Sequence, residues 1–115
     1  MAGGEKTMIL IRLYEGAIRF LCEGVEALEA GAPAVFAEKL GRAQSVLDEL
    51  DALVDPSGSV LAADLHDLYA FMARHLHQAG EQQDAAAARE VAGLLEELNH
   101  GFRFVAGGQA DSGAT

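Results

Sequence analysis

Between residues 9 and 28 the polar side chains are Arg12, Glu15, Arg19, Glu23 and Glu26, each three or four positions after the last. At about 100° per residue they share a strip roughly 80° wide, and the rest of a helical cylinder is apolar or glycine. A surface helix needs one apolar stripe, and this one is apolar around most of its circumference. It must be wrapped on several sides or keep apolar surface for a later partner. The pattern predicts a helix from about residues 5–7 to 30, ended by Gly31-Ala32-Pro33. Glycine suits the left-handed position after a helix, and proline the first turn of the next.

The following stretches are plainer. Phe36, Leu40, Ala43, Leu47, Leu50 and Val54 form one stripe over 33–54, with Glu38, Lys39, Arg42, Asp48, Glu49 and Asp51 opposite. Asp55-Pro56-Ser57-Gly58 reads as a turn, and Ser57 or Ser59 as the cap of a third helix. Its stripe is Leu61, Leu65, Leu68, Met72, Leu76 and Ala79, with Tyr69 beside it and Phe71 at its edge, and Gly80 is expected to close it. Asp84 is the expected cap of a fourth helix, which opens on four alanines and continues with Val91, Leu94, Leu95, Leu98, Phe102 and Val105. No strand-like alternation appears. Short turns make sequence neighbours antiparallel, so the expected fold is an all-α, up-down-up-down four-helix bundle over 5–106. A leader at 1–4 and a glycine- and alanine-rich tail at 107–115 are expected to be disordered.

Half of the 115 residues are hydrophobic, enough for one core. Eight Lys and Arg against eighteen Asp and Glu give a net charge of −10. That balance argues against nucleic acid and anionic membrane surfaces as partners and favours a basic or apolar one. No signal segment or membrane span is read from the apolar run, because Arg12 and Glu15 interrupt it. Cys22, the single cysteine, can form no disulfide within the chain, which suits a reducing cytoplasm.

The four histidines bear on two chemistries that bundles host. Glu97-Leu98-Asn99-His100 matches the Glu-x-x-His half-site of di-iron bundles, but Ala63, Met72 and Arg74 stand three residues before the other histidines. His75 and His77 point about 200° apart and cannot share an ion. A phosphotransfer bundle needs a histidine with a cation near the phosphoryl group, and neither His66 nor His75 has a lysine on the next turn. No nucleophile–base motif or phosphate loop appears, so no catalytic residue, metal or cofactor is expected. Gly16, Gly24, Gly93 and Gly101 fall within helices, where they either permit close helix approach or leave shallow pockets.

Leu13-Tyr14-Glu15-Gly16-Ala17-Ile18-Arg19-Phe20-Leu21 resembles the first-helix signature of the flagellar export chaperone family FliS, leucine-tyrosine-acid-glycine-alanine-x-x-phenylalanine. Leu65-His66-Asp67-Leu68-Tyr69-Ala70-Phe71-Met72 is similar to a second family stretch, and residues 90–98 with Gly101-Phe102 to its final helix. Phe102 stands where the family often has tryptophan. Glu5 and Lys6 stand where it has a serine–proline pair, behind an arm that covers part of the client site in family members without a client.

The resemblance implies a cytoplasmic, non-enzymatic chaperone that binds the disordered C-terminal segment of flagellin. It would prevent premature polymerisation and aid delivery to the type III export apparatus, with an export-gate component or a co-chaperone as further partners. The expected client groove combines Leu13, Tyr14, Ile18, Cys22 and Val25 of the first helix with Leu68, Phe71 and Met72 of the third. Leu10, Ala17, Leu21 and Leu28 are expected in the core. For each groove residue the alternative is ordinary core packing. For the surplus apolar face as a whole, the alternative is a homodimer.

Overall fold

A computed structural model describes the backbone of residues 2–114 and the side chains of residues 5 and 7–103. It contains four helices: α1 (Ala2–Glu29), α2 (Pro33–Ala52), α3 (Val60–Gln82) and α4 (Ala85–Ala114). The leader at 1–4 and the tail at 107–115 lie outside the residues whose side chains are described.

The turns form where local chemistry dictates. Gly31 takes φ +86°, its N–H donates to the Leu28 carbonyl and that of Ala32 to the Ala27 carbonyl, and Pro33 opens α2. This paired closure satisfies carbonyls that a helix end leaves open. α2 stops at Ala52, two residues short of the expected end, as Leu53 and Val54 tighten into a final turn through Leu50 and Asp51. Asp55 then accepts from both the backbone N–H and the hydroxyl of Ser57, which holds its carboxyl below the usual range. Ser59 is left as the α3 cap, accepting from Ala62 at 3.0 Å. Asp84 caps α4 the same way, through Ala87.

Gly80 does not close α3. The helix runs to Gln82, and Gln83 takes the left-handed position at φ 53°. A non-glycine residue there costs about 1 kcal/mol. Gly80 is instead a packing position, where a Cβ would touch Leu40 of α2.

Each helix meets both of its neighbours around the bundle. Contacts run in opposite senses along two seams: Glu15–Arg103 and Glu29–Arg89 join α1 to α4, and Asp51–His66 and Leu40–Gly80 join α2 to α3. That is the antiparallel arrangement short turns require. The α2 stripe of Phe36, Leu40, Ala43, Leu47 and Leu50 is buried as expected. Tyr14, Ala17 and Leu21 meet it from α1, Met72 and Leu76 from α3, and Val91 and Leu95 from α4. Tyr69, expected beside the α3 stripe, is inside it, whereas Leu61 is 69 % exposed. Among the described residues no helix is long and apolar enough to cross a membrane.

Candidate functional site

α1 carries the surplus apolar surface, and two neighbours absorb most of it. On one flank Gly24 lets α2 approach so closely that a Cβ there would lie 3.1 Å from the Lys39 Cβ and 3.2 Å from a Leu40 methyl. Phe20, on the same flank, has Lys39 and Arg42 5.7 and 5.9 Å from its ring centre, and Lys39 is paired with Glu23 at 3.1 Å. α4 covers the other flank, where Cys22 and Val25 line a crevice of about 220 Å³ with Arg89 and Ala92.

The eight residues expected in a client groove therefore separate. Tyr14 and Met72 are buried in the core and reach no external partner while the bundle is closed, and Val25 is buried as well but borders the crevice beside Cys22. Leu13, Ile18 and Leu68 are partly buried and pack on that core. Cys22 is exposed, and its thiol is pushed up by desolvation, then by Glu96, Glu26 and Glu23. Phe71 is exposed and stacks on His75, with ring centres 5.5 Å apart.

Tyr14 has a different task from the expected one. Its hydroxyl is hydrogen-bonded to that of Tyr69 across the bundle, and its ring stacks on Phe102 at 5.4 Å. One residue thus ties α1 to both α3 and α4. Burial, above all, pushes both phenols above their ordinary range, Tyr14 the further; the shared hydrogen bond adds to this for Tyr14 and opposes it for Tyr69.

The open apolar surface lies elsewhere. The α3–α4 seam is the leanest of the four. Leu61, Leu65, Leu98 and Phe102 line a groove of about 300 Å³ there, with Gly101 in its wall and Glu97 at its edge. Val60, 80 % exposed, precedes Leu61 at the mouth. Met8 and Ile9 are half exposed toward the same end of the bundle, where Met8 shares a depression with Arg103. All four apolar groove residues belong to stripes whose spacing predicts core positions. A signal was present in Gly101: a glycine on the face turned toward α3 leaves nothing to cover Leu61 and Leu65. Of the four glycines noted in helices, Gly24 serves close approach, whereas Gly16, Gly93 and Gly101 would each meet nothing within 4 Å if given a Cβ.

Three histidines each lie beside one carboxylate. His66 Nδ1 is 2.6 Å from Asp51, His75 Nε2 is 3.4 Å from Glu90 without hydrogen-bond geometry, and His77 Nε2 is 3.2 Å from Glu81. Among the described residues no three His, Cys, Asp or Glu side chains converge as a metal would require.

Comparison with known proteins agrees with the motifs. A family model described as flagellar protein FliS matches residues 3–109. The chain is 34 % identical over 95 residues to the flagellar secretion chaperone FliS of Salmonella typhimurium, covering 81 % of this chain and 70 % of that one. It is 30 % identical over 91 residues to the flagellar secretion chaperone FliS of Vibrio cholerae, covering 78 % and 67 %.

Proposed function

The chain belongs to the flagellar protein FliS family, and from that premise we propose that it chaperones flagellin in the cytoplasm before export. In this reading it binds the disordered C-terminal segment of flagellin, keeps it from polymerising and brings it to the flagellar type III export apparatus. The observation that carries the reading is the apolar groove left open between α3 and α4. A disordered segment that becomes helical on binding needs a long apolar trough rather than a deep pocket. Ordering such a segment costs free energy, which keeps the complex releasable without nucleotide hydrolysis. Leu61 and Phe71 offer exposed apolar side chains along α3, and Leu65, Leu98 and Phe102 supply the floor.

Calorimetric titration with a flagellin C-terminal segment tests this. Binding should show a large negative heat-capacity change and a gain in helicity. Leu61→Asp should weaken it at least tenfold and leave unfolding within about 0.5 kcal/mol of wild type, because Leu61 is exposed and an acid suits the first turn of a helix. Absence of binding, together with a stable dimer whose mass the segment does not change, would replace this reading with a homodimeric scaffold.

A further inference from the structure

The groove is edged by acids, with no cation among its lining residues. Glu97 stands at its α4 edge, and Asp64 and Asp67 are exposed on α3 one turn apart, beside Leu61, Leu65 and Leu68. Elsewhere several seam acids meet cations, Glu15 with Arg103, Glu23 with Lys39 and Glu29 with Arg89, whereas Glu26 and Glu96 act on Cys22 at the α1–α4 seam without an ion-pair partner among the described residues. Glu90, further along α4, has His75 beside it. Asp64, Asp67 and Glu97 have no ion-pair partner among the described residues; the nearest cation along α3 is Arg74, two turns beyond Asp67. An apolar floor thus lies between two acidic edges.

Resting on the reading above that this groove receives a client helix, we infer that the helix it selects carries Lys or Arg on both edges of its apolar stripe. The apolar stripe supplies most of the affinity and the edges supply the choice. Complementary charge at a rim steers encounter and penalises wrong partners more than it adds binding energy. The same pattern opposes a second copy of this chain as the occupant. A two-fold contact through the groove would bring Asp64, Asp67 and Glu97 against their own counterparts in a chain of net charge −10.

Two synthetic amphipathic peptides test the inference without flagellin. They share one leucine–isoleucine stripe and differ only in carrying Lys or Glu at its flanking positions. At low ionic strength, about 0.01 M, the Lys peptide should bind about tenfold more tightly than the Glu peptide. At about 1 M the two should converge, because screening shortens the reach of exposed charges to about 3 Å. In the triple variant Asp64→Asn, Asp67→Asn, Glu97→Gln the preference should disappear while helicity is retained, and Leu61→Asp should weaken both peptides. Equal binding at low salt, or a preference that survives the triple variant, overturns the inference. A flagellin segment that does not bind overturns the chaperone reading, and the peptide pair still reports on the groove.

Discussion

The α1–α2 and α3–α4 seams are built from the same residue types and end in opposite states. Leucine, phenylalanine and glycine line both, yet the first is closed and the second is a trough. Position of the glycine decides it. Gly24 lies where two backbones converge, so its missing side chain lets α2 settle against α1 until Lys39 and Leu40 touch it. Gly101 lies where α3 has already moved away, and its missing side chain leaves Leu61 and Leu65 uncovered. Surplus apolar composition on a helix therefore does not mark a binding surface. What marks it is apolar surface with no neighbour in reach, and the most exposed apolar side chains, Val60 and Leu61, stand on α3.

The largest test of this contrast is Tyr14→Ala. The wheel alone would allow Tyr14 to be a client contact, and its removal would then leave stability unchanged. With its ring against Phe102 and its hydroxyl on Tyr69, truncation should cost about 4 kcal/mol in urea unfolding. The wild-type bundle should also weaken in alkali. Folding holds both phenols above their ordinary value, so as pH rises past about 10 the unfolded chain loses protons that the folded chain keeps. Stability present below that pH falls above it, and Tyr14→Phe should reduce the fall.

Gly24→Val comes next, with an expected loss of about 2 kcal/mol, because the closed seam has no room for a branched side chain against the Lys39 Cβ and a Leu40 methyl. A neutral result in thermal unfolding would mean that α1 and α2 are not in close contact at this point.

Much of this was legible from residue order, and the legible part shares a cause. The α2 stripe, the Ser59 and Asp84 caps and the Gly31 closure depend on residues within a few positions of one another, so spacing alone carries them. The rotation of each helix about its axis is a collective outcome of all four. It brings Tyr69 inward and turns Leu61 outward, although both stood near the same expected stripe. It also joins Tyr14 to a residue 55 positions away, a pairing no local pattern encodes. Gly80 misled for a related reason: beside a chain turn it reads as a stop, and only the position of Leu40 reveals it as a packing residue.

The smallest expected effect separates the two roles of glycine most sharply. Gly16 and Gly101 both sit within helices with nothing within 4 Å of where a Cβ would be. Replacing either by alanine should raise stability by about 0.8 kcal/mol, since glycine loses the most backbone freedom on forming a helix. The two variants should then part company. Gly16→Ala changes α1 away from the groove and should leave titration with a flagellin segment unchanged. Gly101→Ala puts a methyl into the groove wall beside Leu98 and Phe102, and should weaken binding a few-fold while the protein becomes harder to unfold. A gain in stability with a loss of binding at Gly101, absent at Gly16, would mean that the glycine in the motif of α4 is kept for the trough it opens, at a cost to the helix that carries it.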